Sequence, residues 1–239
     1  MAIRFSEEGC RVVVHGTAAG AAEETARLCG SETEVVLGDI RDPETSSQLV
    51  EAALGRFGRL DILVNNAGIA RQYAFLDCEL AKFKELMDMH LDGTFLASQH
   101  AARAMARLGG GRILNMSSIA AAQGQFGFVA YAPAKAAIEG LTRVMAVELA
   151  QYGITVNCLS PGPVLTDLLV GVYSQEQLAE RARTIPAQRL ASRRDVAEAA
   201  LFLVSPESAY INGQVLRLDG GATAAGCFTM EVYRRSPRA

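Results

Sequence analysis

The chain has 239 residues, 50% of them hydrophobic and 21% charged, with a formal net charge of −3 and a pI near 5.7. Such a chain builds one large domain with a substantial core, or at most two small ones. Its charge balance excludes the basic footprint of a nucleic-acid binder, and charges interrupt every apolar stretch well short of the roughly 20 residues a membrane helix needs.

Met1 to Glu8 reads as a short amphipathic helix stopped at Gly9, and Arg11 to Val14 as a strand. Glu34 to Leu37 is a second strand, and Glu44 to Phe57 a helix with Val50, Ala53, Leu54 and Phe57 at helical spacing. Leu60 to Val64 is a near-continuous apolar strand. A long helical stretch from about Leu80 to Leu108 is expected to bend near Gly93. Arg112 to Met116 is a strand, Phe128 to Tyr152 mostly a helix, and Ile154 to Leu159 a strand. Helical pieces at Gln175–Arg183 and Arg194–Leu203 precede the last strand, Gln214–Leu218. Short apolar strands separated by helices imply a parallel sheet covered on both faces, a single doubly wound α/β domain. Ligands of such a domain bind beyond the carboxyl ends of the strands. Residues 1–224 are read as the domain and 225–239 as a tail, whose Arg234, Arg235 and Arg238 read as a solvated terminus.

Cysteines stand at 10, 29, 78, 158 and 227, an odd count without a C-x-x-C pair or ligand-like spacing to histidine. They read as reduced thiols of a cytoplasmic protein, with no metal site. The start shows no basic segment followed by an apolar one, so no signal peptide is expected.

The sequence Y-A-P-A-K places Tyr131 and Lys135 four residues apart. On a helix both side chains face the same way, about 6 Å apart, and Pro133 is tolerated if the helix begins near Tyr131. An adjacent ammonium favours phenolate and is expected to lower the tyrosine pKa from about 10, suiting it to exchange a proton with an alcohol or carbonyl. Ser118 follows the strand I-L-N-M at the same expected sheet edge, where its hydroxyl can hold a substrate oxygen. L-V-N-N-A-G, residues 63–68, ends the preceding strand, and L-S-P-G-P-V-L-T-D-L, residues 159–168, follows the next one with a turn at Pro161 and Gly162.

With S-A-Y-I-N-G-Q-V-L-R-L-D-G-G near the end, these ordered motifs resemble the short-chain dehydrogenase/reductase family, in particular 3-oxoacyl-thioester reductases, from Met1 to about Gly221. The resemblance implies a Rossmann-type fold, a nicotinamide cofactor (NADP or NAD) and hydride transfer to or from a small-molecule carbonyl or secondary alcohol. It implies Tyr131 as acid/base, Lys135 as ligand of the nicotinamide ribose and Ser118 as polariser of the substrate oxygen. Asp39, with Ile40 beside it, would contact adenine. Asn66 would line the adenosine side, and Val164 and Thr166 the carboxamide. The helices at 80–108 and 128–152 resemble those through which the family forms dimers and tetramers, so a homodimer or homotetramer is expected. Q-G-Q-F-G-F-V-A-Y and the stretch 165–189 are expected to shape the substrate pocket, with Phe126, Phe128 and Tyr173 either lining it or packing.

Three departures stand out. The family carries a strand and a glycine-rich, pyrophosphate-binding turn before the helix that starts this chain. Both are missing here, so Met1 is expected to be a misplaced start with about 20 residues ahead of it. The missing strand would be the central one. Without it, either Val12–Val14 closes on Ile62–Val64, or a row of backbone groups goes unpaired. His90 stands where the family has an asparagine in a proton relay. It either continues the relay or packs against a backbone carbonyl. The strand tip reads His15-Gly16-Thr17, with no acid before Glu23 to repel a 2′-phosphate and no arginine to attract one, which leans toward NADP.

Overall fold

The computed structural model describes residues 1–166, 169 and 173–225. In chain order the strands are β1 (Val12–Gly16), β2 (Thr33–Leu37), β3 (Ile62–Asn65), β4 (Gly111–Met116), β5 (Ile154–Pro161) and β6 (Val215–Leu218). The helices used below are α1 (Ala2–Glu7), α2 (Ala19–Leu28), α3 (Pro43–Phe57), α4 (Leu80–Met87), α5 (Gly93–Leu108), α6 (Tyr131–Leu149), α7 (Gln175–Thr184) and α8 (Arg193–Val204). The expected elements are all present, with ends at most three residues from those expected, and α2 is a helix that was not expected. The 80–108 stretch is two helices joined by a π-helical turn at Asp88–Asp92. Gly93 follows that turn because a Cβ there would stand 2.8 Å from Ile40 Cγ2.

The chain is a doubly wound α/β domain, with every strand pairing parallel. Successive strand residues face opposite layers. Leu114, Met116 and Leu159 pack with Phe5 of α1 and Val196, Ala200 and Leu203 of α8. Ile113, Ile154 and Val156 pack with Ala101 and Met105 of α5 and Ala146 of α6 on the other face. Arg4 of α1 donates to Glu198 of α8 at 2.9 Å, fixing the short first helix to its layer.

The sheet is not continuous. Strands β3-β4-β5-β6 form one sheet, and β1-β2 form another. Of the two outcomes expected for the missing centre, the closed one does not occur. Val12–Val14 pair only with β2, and Ile62–Val64 only with β4. A cleft of about 740 Å³ lies between them. The layers on either side hold the two pieces apart. Helix α3 packs on both β1 and β2 and also on α5, which covers β3 and β4.

Within the larger sheet, a buried polar chain locks strand to strand and sheet to helix. Asn65 Nδ2 donates to Asn115 Oδ1 and to Ser98 Oγ, both at 2.8 Å. Asn115 Nδ2 donates to Thr142 Oγ1 at 2.9 Å, and that hydroxyl donates to Ile138 O at 2.8 Å. Asn115→Ala removes one of the two acceptors of the Asn65 amide and the donor to Thr142, and is expected to lower stability by about 1–3 kcal/mol in urea unfolding.

Candidate active site

The carboxyl ends of the strands place the candidate residues along one edge. Tyr131 opens α6, with Pro133 inside its first turn, as a proline can be. One turn on, Lys135 is buried. Its Nζ donates to the carbonyl of Met116, the last residue of β4, at 2.7 Å, and lies 5.8 Å from the Tyr131 ring centroid. Ser118 leaves the same strand and caps a short 3-10 turn, its Oγ accepting from Ala120 N at 3.2 Å. The Ser118 hydroxyl is near enough to the Tyr131 phenol to favour its charged form.

His90 is buried on the π-helical turn and meets the Tyr131 ring edge-on, with centroids 5.4 Å apart at 82°. Its Nε2 is 2.7 Å from Ile69 O. A carbonyl only accepts, so Nε2 carries the proton and Nδ1 is left as an acceptor. That Nδ1 is buried without a hydrogen-bond partner among the described residues. The carbonyl bond expected for a packed histidine is therefore present, while the other ring nitrogen keeps the capacity a relay would use. Gly68 makes the site possible, since a Cβ there would stand 2.4 Å from His90 Cε1.

Burial governs the charges. It lowers the Lys135 pKa to about 8. It lowers His90 to about 4, helped by the positive charge of Lys135. It raises Tyr131, opposed only by the neighbouring Ser118 hydroxyl. The expectation that Lys135 lowers the tyrosine pKa is thus corrected. The ammonium is bonded to Met116 O and sits over the ring, and desolvation of the phenolate outweighs it.

The other expected residues lie on the same edge but apart from this cluster. Asp39 follows β2. Its carboxylate is held by Arg41, with Nε at 2.9 Å from Oδ1, which lowers its pKa to about 2. Ile40 is buried, and Ile40 and Asn66 line the cleft between the two sheets. Val164 forms an isolated bridge with Ala191, and Thr166 Oγ1 accepts from Leu169 N at 3.3 Å. Phe128 lies 5.3 Å from the Tyr131 ring, whereas Phe126 is exposed and Tyr173 stacks on Arg181 at 4.1 Å. Asp167, Leu168 and the arginines of the tail lie outside the described residues. Sequence reasoning missed the Met116 and Ile69 carbonyls, because main-chain acceptors leave no mark in residue type. It quoted Gly68 without its role. The motif itself was the available signal, since a glycine beside a helix invites close approach.

A parallel α/β fold with a tyrosine, a lysine and a serine brought to the strand ends is the arrangement of a nicotinamide-dependent oxidoreductase. The chain belongs to the short-chain dehydrogenase/reductase family, and a family described as enoyl-(acyl carrier protein) reductase matches residues 1–223. It is 34% identical to 3-oxoacyl-[acyl-carrier-protein] reductase FabG of Vibrio cholerae serotype O1 over 217 residues, 91% of this chain and 88% of that one. The structure of a 7α-hydroxysteroid dehydrogenase complexed with NADH and 7-oxo glycochenodeoxycholic acid superposes with a TM-score of 0.87 at 36% identity, covering 92% of this chain and 87% of that one. The structure of ElxO with NADP bound gives 0.86 at 28% identity, covering 93% and 92%. The protein is an NAD(P)-dependent oxidoreductase that transfers a hydride between nicotinamide and a carbonyl or secondary alcohol.

The residues fit such a cofactor at one end only. Buried Lys135 and the Ser118 and Tyr131 hydroxyls suit the nicotinamide-ribose end. At the pyrophosphate end, no glycine-rich turn leads into a helix among the described residues, and the gap between the sheets opens there instead.

The buried, neutral His90 has a consequence for stability. Between pH 6.5 and about 4 the unfolded chain binds a proton at His90 that the folded chain refuses, so stability falls as pH falls through this window. In His90→Asn that part of the fall is expected to disappear, as urea midpoints compared near pH 7 and about pH 5 will show.

Proposed function

We propose that the chain reduces a carbonyl of the 3-oxoacyl-thioester class, with Tyr131 donating the proton, Ser118 holding the carbonyl oxygen and Lys135 placing a positive charge beside both. The observation that carries this reading is the Lys135 ammonium 5.8 Å from the Tyr131 ring centroid, with the Ser118 hydroxyl beside the same phenol. The nicotinamide supplies the hydride when bound. Burial keeps the Tyr131 phenol protonated at neutral pH, the state a proton donor to a developing alkoxide needs. With a pKa near 8, Lys135 can pass a proton toward the phenol at little cost. The bare Nδ1 of His90 supports it as the continuation of that path.

Asp39, Ile40 and Asn66 are proposed to face the adenosine, and Val164 and Thr166 the carboxamide. Their support is their position after β2, β3 and β5. NADP is proposed as the preferred cofactor. At the tip of β1, His15 Nε2 lies 3.0 Å from Gly38 O and Thr17 is exposed, with no acid at either place. Residues 1–224 are proposed as the domain and 225–239 as an appended tail. A homodimer or homotetramer is proposed through α5 and α6, where Phe95, Leu108, Val144 and Val147 are exposed. A cytoplasmic setting is supported by the free state of the four described cysteines. No described helix is long and apolar enough to cross a membrane.

The test is titration of the full chain with NADPH and NADH by fluorescence, followed by turnover of an acetoacetyl thioester. A chain that binds either dinucleotide but leaves every ketone unchanged overturns the proposal. Tyr131→Phe is expected to lower kcat roughly 10²–10⁴-fold while sparing NADPH affinity. Thr17→Asp sets a like charge against the 2′-phosphate. It is expected to weaken NADPH binding about tenfold or more and leave NADH binding nearly unchanged.

A further inference from the structure

Two rings touch that of Tyr131. His90 meets it edge-on, and Phe128 lies against it at 44° with centroids 5.3 Å apart. His90 comes from the π-helical turn after α4, and Phe128 from the loop before α6. One short segment after β3, residues 69–73, fastens both. Ile69 O accepts from His90 Nε2 at 2.7 Å. Tyr73 N donates to Gly127 O at 2.7 Å, and Tyr73 forms an isolated parallel bridge with Phe128. Between these ties Arg71 pairs with Glu85 of α4 at 3.1 Å. The segment is thus bound to the turn, to α4 and to the loop before α6.

Phe128 is held on the α6 side as well. Its carbonyl accepts from Ala132 N at 3.0 Å, in the first turn of α6, and its own N–H donates to Gln125 O at 3.2 Å. Gly127 permits the close approach to the segment. Its φ is +83°, and a Cβ there would stand 3.3 Å from Gln72 Cβ. With its backbone fixed in this way, the half-buried Phe128 ring rests on Tyr131. A tyrosine hydroxyl lies at the far end of its ring, so a swing of the ring about the Cα–Cβ bond displaces the oxygen. A misplacement of about 1 Å can cost a reaction about 10²-fold. A ring packed alongside blocks part of that swing and takes the place of water. Burial raises the Tyr131 pKa, and Phe128 is part of what buries it.

We propose that Phe128 is a positioning residue for the acid/base: it fixes the Tyr131 ring and shields the phenol from water, and the Tyr73–Gly127 hydrogen bond holds it there. The role rests on Tyr131 being the proton donor.

The test uses the full chain and the variants Phe128→Ala, Phe128→Leu, Tyr73→Pro and, as a control, Phe126→Ala, whose side chain is 93% exposed. Nitration by tetranitromethane near pH 8 is followed at each tyrosine by mass spectrometry, with the fully exposed Tyr210 as internal standard. The reagent attacks phenolate, so the rate at Tyr131 reads both its protonation and its cover. That rate is expected to rise about tenfold or more in Phe128→Ala and Tyr73→Pro, the change in phenolate that one pKa unit brings. Phe128→Leu, which keeps an apolar cover, and Phe126→Ala are expected to stay near wild type, and Tyr152 to keep its rate throughout. In turnover of an acetoacetyl thioester with NADPH, Phe128→Ala is expected to lower kcat about tenfold or more with KM changed less than about threefold, and Phe128→Leu to recover most of kcat. The proposal is overturned if Tyr131 nitration is unchanged in Phe128→Ala or Tyr73→Pro, or if Tyr152 rises with it, which marks a loss of fold. It is also overturned if KM alone rises, which makes Phe128 a wall of the substrate pocket. A wild-type chain that binds NADPH and reduces no ketone overturns the proton-donor reading instead, and nitration then decides by itself whether Phe128 covers Tyr131.

Discussion

Everything functional in this protein depends on the parallel ladder that joins β3, β4, β5 and β6. Parallel pairing sends each strand in the same direction, so each ends at the same edge and each following loop starts there. Ser118 is delivered by the end of β4, Asn66 by β3 and Val164 by β5. Helix α6 then begins at that edge, and its first turn carries Tyr131 and Lys135. The Asn65–Asn115–Thr142 chain couples two of these strands to α6 through buried hydrogen bonds. A shift between strand and helix would leave those groups unsatisfied, so the relative position of Ser118 and Tyr131 is tied to the stability of the core.

At the site itself, burial rather than ion pairing sets the protonation states. Desolvation moves Lys135, His90 and Tyr131 all toward their neutral forms. The lysine is stabilised by a carbonyl instead of a carboxylate, which leaves its charge uncancelled beside the tyrosine ring. His90 is held neutral in a single tautomer by the Ile69 carbonyl, and Gly68 permits that close contact. The cluster stores capacity for proton transfer in groups whose charged forms the fold itself disfavours.

The divided sheet is the counterpart of this order. β1 and β2 are held by their helices, so Asp39 and Ile40, proposed to face the adenosine, ride on a piece separated by a cleft from the sheet that carries Ser118 and Tyr131.

The periodicity of apolar residues by itself determined every element but α2, their order and the parallel sheet covered on both faces. Spacing determined that Tyr131 and Lys135 share a helix face, because a helical repeat is a local property. Only the tertiary structure decided that β1 pairs with β2 alone and β3 with β4 alone, because strand pairing joins residues far apart in the chain. Only it decided that Lys135 spends a hydrogen bond on Met116 and that Tyr131 is raised and not lowered, because desolvation depends on what surrounds a group in space. Asp39 turned toward Arg41, two residues away, for the same reason. A charged side chain takes the partner that the folded backbone brings within reach, and residue type alone does not say which that will be.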